Sequence, residues 1–327
     1  MNSICIFAHF NKNNDLEEYV IDYLKKIKSL VDEVIFISTS DLKTTKINFL
    51  KEIIQEIIIR QNEGYDFGSW KEGLLFIKNN YKNLPKEIIL CNDSCYISKV
   101  LLKKAISEMR KNKKIDFWGI TKNYMFGMHL QSYFIVLNSK PLSDKKLWEF
   151  LFSFKKQVNK VDYIIKYEIG LSKFLKKENY VMGSYINFNL IKHSIITTKY
   201  KLIFIKKYLL NLLKYLLAKS LFKSKSDKNL ENIKKIKSNL FLKKTDLSRI
   251  YKIICIFTNP LSGDITQLSI EDLMKINSPF LKVTKVKELI KKESINKFKI
   301  FCNKKKFNYK NIVSHQLKIN KFQTKIK

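Results

Sequence analysis

The chain has 327 residues, 45% of them hydrophobic, which is enough to bury a sizeable core and too many for a disordered protein. Lys and Arg number 63 against 29 Asp and Glu, a formal charge of +34, yet only Arg60, Arg110 and Arg249 are arginines. A phosphate-reading surface favours arginine, whose planar fork grips phosphate in two places, so charge borne by lysine argues against a nucleic-acid partner.

Residues 1–10 place no basic segment ahead of their short apolar run, which counts against a signal peptide. Ile4 to Phe7 reads as a buried strand, followed by Asn14 or Asp15 as the N-cap of a helix with Leu16, Tyr19, Val20, Tyr23, Leu24, Ile27 and Leu30 on one face. Val34 to Ser38 is a second strand. A lysine-rich helix near residues 43–56, a strand at Ile57 to Ile59, a helix from Trp70 to about Asn80 and a strand at Ile88 to Cys91 continue the rhythm. Such alternation predicts an α/β fold with a mainly parallel sheet, whose ligands lie beyond the carboxyl ends of the strands. The loops from His9 to Asn14, Arg60 to Ser69 and Asn92 to Ser98 would emerge there. Next come a helix from Lys99 to Lys111, the segment Asp116-Phe117-Trp118-Gly119, a strand near Ser132 to Leu137 and a helix carrying Trp148, Phe150 and Leu151. Residues 201–250 then hold 14 basic and 3 acidic side chains, with no Gly or Pro. Cys255 to Thr258 and Phe280 to Val283 return as short strands, and the tail beyond about residue 290 is basic and poor in signals. Charge is concentrated late, with +9 over residues 1–190 and +25 over 191–327.

Three of only eight glycines, Gly64, Gly68 and Gly73, fall in the segment Arg60 to Gly73, RQNEGYDFGSWKEG. Glycines concentrated after a strand mark backbone that must turn or approach a ligand closely. Ser69 with Glu72 forms a capping box, which predicts a helix N-terminus there, suited to an anion such as a diphosphate. An ordinary strand-to-helix connection reads equally well. In Leu90 to Tyr96, LCNDSCY, Asp93 ends an apolar strand, where a carboxylate could hold a hard divalent cation or merely close an Asx-turn with Asn92. His129 to Phe134, HLQSYF, gathers polar groups before a strand, substrate-facing or structural. Glu168, in Tyr167-Glu168-Ile169-Gly170, opens an apparent helix as a general base or as a solvated carboxylate.

Together these segments resemble the rhamnan synthesis protein F family of cell-surface polysaccharide glycosyltransferases. The resemblance is carried by RQNEGYDFGSWKEGL from Arg60, CNDSCY from Cys91, DFWGIT from Asp116, HLQSYF from His129, YEIGLS from Tyr167, and more weakly by Asn259-Pro260 and SPFLKV from Ser278. It spans roughly residues 4–185 and resumes near 253–290. It implies a GT-A-like nucleotide-diphosphosugar fold and an inverting hexosyltransferase, with rhamnose the sugar that the family label suggests. By this similarity Asn62, Gly64, Asp66 and Gly68 line the donor site, joined by His9, Glu63 and Tyr65. Asp93 takes the place of a carboxylate binding Mg or Mn, although Asn92-Asp93-Ser94 departs from a plain Asp-x-Asp. Glu168 stands where the acceptor-activating base is expected, with Asp66 as its companion in catalysis. The acceptor would enter near Asp116, His129 and Gln131, and Trp118 or Tyr65 would stack on sugar or base.

Residues 201–222 can be drawn as an amphipathic basic helix, fitted either to an anionic membrane surface or to packing on the catalytic domain. No apolar stretch reaches the roughly 18 residues needed to span a bilayer. Five cysteines, Cys5, Cys91, Cys95, Cys255 and Cys302, share no repeated spacing and suggest neither disulfides nor a zinc site. The expected organisation is a catalytic domain over residues 1–200, a basic segment over 201–250, the remainder of the family region over 251–290 and a basic tail over 291–327. The expected protein is cytoplasmic and peripheral on the inner face of the cytoplasmic membrane, joining a nucleotide-diphosphosugar to a lipid-linked or polymeric glycan of a surface polysaccharide or lipopolysaccharide. A non-catalytic glycan-binding or assembly subunit of the same pathway is the alternative.

Overall fold

The computed structural model describes residues 2–123, 128–157, 160–186, 276–286 and 295–324. Its centre is a seven-stranded sheet of β1 (Ser3–His9), β2 (Glu33–Ser38), β3 (Glu56–Ile59), β4 (Glu87–Asn92), β6 (Phe117–Gly119), β9 (Phe134–Asn138) and β10 (Met182–Ser184), in the order β10-β6-β9-β4-β1-β2-β3. Two-residue strands β7 (Lys122–Asn123) and β8 (His129–Leu130) form a small antiparallel pair, as do β5 (Cys95–Ile97) and β11 (Phe280–Lys282). Strands β3, β2, β1 and β4 run parallel, and β9 alone runs against its neighbours β4 and β6. This mainly parallel mixed sheet, flanked by helices on both faces, is the GT-A-like α/β fold expected from the sequence.

The continuous apolar runs follow from burial on both faces. On one face Ile4, Ile6, Ile35, Ile37, Ile88 and Leu90 meet Phe67, Trp70, Leu74 and Ile77 of α3 (Tyr65–Asn80). That layer continues into α6 (Lys145–Phe152) and α8 (Ile169–Lys177), through Leu147, Leu151, Leu171 and Leu175. On the other face Phe7 packs edge-on against Tyr23 of α1 (Glu18–Lys28), with ring centroids 4.9 Å apart. The remaining helices are α2 (Thr44–Lys51), α4 (Lys99–Lys111), the single turns α5 (Ser139–Leu142) and α7 (Lys160–Tyr163), α9 (Ile295–Lys305) and α10 (Tyr309–Thr324). Cys5, Cys91, Cys95 and Cys302 are buried free thiols. No helix of the described residues is long and apolar enough to cross a membrane.

Several boundaries differ from those expected. Helix α1 starts after Glu17 rather than at Asn14 or Asp15, because Asn14 sits at φ 54° and its side-chain oxygen accepts from the Asp41 amide. The basic tail, poor in sequence signals, carries α9 and α10, with Phe298, Phe301 and Ile312 of these helices and Phe307 between them buried. Residues 201–250 and the strand expected at Cys255 to Thr258 lie outside the described residues.

Candidate functional site

Strands β1, β2 and β4 end side by side in the polar residues His9, Ser38 and Asn92, where their interiors are apolar. At the end of β1, His9 is buried, with Nδ1 2.9 Å from the Ser38 hydroxyl at the end of β2. Burial lowers its pKa to about 4, so the ring is neutral. The next amide, Phe10 N–H, donates to Asp93 Oδ2 at 2.9 Å, while the Phe10 ring stays half-exposed beside it. At the end of β4, Asn92 Oδ1 accepts from the Ser94 amide at 3.1 Å and the Ser94 hydroxyl at 2.6 Å, an Asx-turn that closes the strand. Asn92 Nδ2 donates to Asp66 Oδ2 at 2.8 Å, so one turn fixes two carboxylates. Burial, with the Asp66 charge adding to it, pushes the Asp93 carboxyl up to about 7.

The glycine-rich loop forms the adjoining wall. Gly64 at φ +81° caps α3, which begins at Tyr65, five residues before the start that the Ser69 capping box suggests. Ser69 is instead buried in the helix, where Arg60 Nη1 approaches its hydroxyl at 3.4 Å. Arg60 Nη2 donates to the Glu63 carbonyl at 2.7 Å, so the guanidinium braces the loop from within. A Cβ at Gly68 would collide with that carbonyl, which explains the glycine. Asn62, Glu63 and Tyr65 are exposed on this rim, and Glu63 pairs with Lys156 at 2.7 Å. Tyr65, held at φ 51°, meets the Tyr163 ring edge-on at 5.0 Å.

That aromatic contact brings in the third wall. Tyr167 lies 5.8 Å from Phe67 of α3, ring to ring, and its hydroxyl is fixed by the backbone of Lys155. Its neighbour Glu168 is the last residue of a π-helical turn, Ile164–Glu168, within the helical run from Lys160 to Lys177 rather than at a helix start. Such π-turns recur at functional sites because they displace a side chain from the α-helical stripe. Glu168 Oε1 accepts from the Ser132 amide at 2.9 Å, just ahead of β9, whose first residue Phe134 pairs with Cys91 of β4.

Of four further expected residues, one stands at the other end of the sheet and three are buried. Asp116 lies at the opposite end of the sheet, where it accepts from the Val181 amide at 2.8 Å and pairs with Lys140 at 3.1 Å. It lines a groove of about 700 Å³ at the amino ends of the strands, together with the ion pair of Glu87 and Arg110. Trp118 is buried against Phe134 and is closed to a sugar, because β6 is an interior strand. His129 and Gln131 reach the carboxyl end but are buried, and Gln131 Oε1 accepts from the Thr121 hydroxyl at 2.6 Å. Conversely, Phe10, Arg60 and Tyr19, whose hydroxyl donates to the Asp93 carbonyl at 2.9 Å, belong to the site and were not among those expected. Arg60 lay within the glycine motif. Phe10 and Tyr19 carried no signal beyond their closeness to a strand end.

Among the described residues no group of three or more His, Cys, Asp or Glu gathers as a metal site. Asp93 and Asp66 nevertheless supply hard oxygens of accumulated negative charge. That donor set fits Mg or Mn, which bind through one or two carboxylates with substrate phosphates completing the shell.

Solved structures with a likeness to the chain include a mannosyltransferase from Pyrobaculum calidifontis in complex with GDP-Man and Mn2+, 9% identical, covering 81% of this chain and 76% of that one, with a TM-score of 0.38. A glucosyl-3-phosphoglycerate synthase from Mycobacterium tuberculosis is 11% identical, covering 43% of this chain and 58% of that one, with a TM-score of 0.32. Nothing about this chain's chemistry follows from likenesses at these scores. A curated relative, the uncharacterized protein y4gN of Sinorhizobium fredii (strain NBRC 101917 / NGR234), is 28% identical over 144 residues, 43% of this chain and 37% of that protein. The chain thus matches well under half the length of that relative. The rhamnan synthesis protein F family matches residues 34–246, which hold the glycine loop, the Asp93 turn and Glu168. Spanning well over half of the sequence and those three walls, that match makes the chain a member of the rhamnan synthesis protein F family.

Proposed function

We propose that this chain is a glycosyltransferase that moves a sugar from a nucleotide-diphosphosugar to a surface polysaccharide or lipopolysaccharide precursor. The observation that carries the reading is the convergence at one sheet end of a strand-end carboxylate, Asp93, a glycine loop opening a helix N-terminus, and the carboxylate Glu168. The first-turn amides of α3 and the Gly64 to Gly68 backbone suit an anionic diphosphate. Tyr65 and Phe10, exposed beside them, suit the base or sugar ring. A divalent cation held by Asp93 and Asp66 would neutralise charge on the departing nucleoside diphosphate.

In the reaction proposed, an acceptor hydroxyl attacks the anomeric carbon while the bond from that carbon to the diphosphate oxygen breaks and its electron pair leaves with the diphosphate. Glu168 takes the hydroxyl proton, and the anomeric configuration inverts. The Ser132 amide holds one carboxylate oxygen of Glu168 in place, which leaves the group oriented before the acceptor arrives.

The test is binding and slow hydrolysis of a panel of nucleotide-diphosphosugars by the full chain, with and without Mg or Mn, beside Asp93→Asn. Metal-assisted binding or turnover of one member, lost in the variant, supports the reading and names the donor. Indifference to every member overturns it in favour of a non-catalytic glycan-binding subunit.

A further inference from the structure

The carbonyls of Asp93 and Ser94, on successive peptide groups, are held by groups that trace back to adjacent residues of α10. On one side, Tyr19 donates its hydroxyl to the Asp93 carbonyl at 2.9 Å. The Tyr19 ring lies over the imidazole of His315, centroids 4.2 Å apart and planes 33° from parallel, and stands edge-on to Tyr96 at 5.1 Å. His315 Nδ1 is in turn 2.7 Å from the Tyr96 hydroxyl. On the other side, the Val283 amide donates to the Ser94 carbonyl at 3.0 Å, and the Val283 carbonyl accepts from Gln316 Nε2 at 2.9 Å. Gln316 Nε2 also donates to the Tyr96 hydroxyl at 2.9 Å, which leaves that hydroxyl to give its own proton to His315 Nδ1. The imidazole proton then sits on Nε2 and the network has one consistent direction. His315 and Gln316 are buried, and α10 is clamped to α1 by Lys318 and Glu17 at 3.0 Å. Two hydrogen-bonded routes, joined at the Tyr96 hydroxyl, thus link α10 to the successive carbonyls of Asp93 and Ser94, more than packing that helix requires.

We propose that α10, which lies beyond the residues matched by the family, is a built part of the donor site, and that His315, through Tyr19 and Tyr96, is the positioning residue for Asp93. The proposal rests on the reading of Asp93 as a cation-binding carboxylate. Its physical content is that the direction of a carboxylate depends on the peptide that carries it. A carboxylate whose carbonyl loses its tether samples orientations that bind a cation less well. Groups one shell removed from a metal ligand alter affinity by about 10–100-fold when deleted.

The experiment measures Mn2+ binding to the full chain by electron paramagnetic resonance of the free ion, alongside the thermal midpoint without metal. The variants are Tyr19→Phe, which removes only the hydroxyl, His315→Ala, His315→Asn and the Tyr19→Phe/His315→Ala double. Both single deletions are expected to weaken Mn2+ binding by about tenfold. The double variant should lose no more than the stronger single, because both act on one tether. His315→Asn, whose side-chain oxygen can accept the Tyr96 proton, should restore most of the affinity. Wild-type affinity in Tyr19→Phe, together with a loss in His315→Ala that His315→Asn does not restore, would overturn the proposal, reducing α10 to packing. Additive losses would overturn the shared tether. A wild-type chain that holds no Mn2+ would overturn both this inference and the reading of Asp93, whereas wild-type binding unchanged in every variant overturns this inference alone.

Discussion

Glu168 and Asp93 are both carboxylates at one end of one sheet, and their surroundings differ in a way that suits the different work proposed for them. Glu168 accepts a backbone hydrogen bond from the Ser132 amide, just ahead of β9. Replacing it with Gln keeps size and that hydrogen bond but removes the proton-accepting oxygen, so turnover should fall by about 10²–10⁴-fold while donor binding and the thermal midpoint stay put. Equal loss of donor affinity, measured by calorimetry, would instead place Glu168 at the donor. Asp93 sits deeper, between Phe10 and Asp66, and its raised pKa reports charge crowded out of water. Of these features only the identities of the residues were legible beforehand. An Asx-turn and a metal carboxylate share the letters Asn-Asp-Ser; here Asn92 makes the turn, which leaves Asp93 for the cation proposed above.

At the level of elements, the sheet was readable and its punctuation was not. Runs such as Ile88 to Cys91 and Val34 to Ser38 must be strands, because a four- to six-residue apolar run buried on both faces has no other regular form in a chain that alternates with helices. The start of α3 was misread because two local signals competed. The Ser69–Glu72 box is a sound cap in isolation, yet Gly64 supplies the left-handed turn that lets the helix begin earlier and hands Ser69 to Arg60. Gly68 pins that outcome. A Gly68→Ala change forces its methyl against the Glu63 carbonyl and the Arg60 guanidinium, so it should cost about 1–3 kcal/mol and loosen the loop. Chemical denaturation would read the first effect, and a donor affinity reduced more than stability alone explains would read the second. A neutral substitution would mean that the loop has room to move. The helices α9 and α10 were missed for a different reason. Their apolar positions are diluted by lysine, and their burial depends on partners such as Tyr96 and Asp22 that are more than 200 residues away in sequence.

For the molecule as a whole, two buried groups at the site set opposing responses to acid. His9, lowered to about 4 by burial, binds its proton later in the folded chain than in the unfolded one, so it contributes stability above pH 6.5 that is lost as pH falls toward 4. Its full contribution is about 3 kcal/mol. Asp93, raised to about 7, does the reverse, contributing stability below pH 3.8 that is lost as pH rises through 7. Between pH 4 and 6.5 the two offset each other. In chelator, Asp93→Asn removes one arm, so its thermal midpoint should drop more steeply from pH 7 to 4 than that of the unaltered protein. Parallel profiles would show that the pair is not the source. The single reversed strand of the sheet also has a consequence for how such a protein diversifies. Because β9 runs against β4 and β6, the connection that feeds it arrives where the parallel strands finish, and the one that leaves it departs from the far end. Residues inserted ahead of His129 would therefore enlarge the face that carries Asp93 and Glu168, whereas residues inserted after Asn138 would enlarge the opposite one. On the function proposed above, recognition of new acceptors would be acquired by lengthening one connection, with the strands that carry the proposed donor site left untouched.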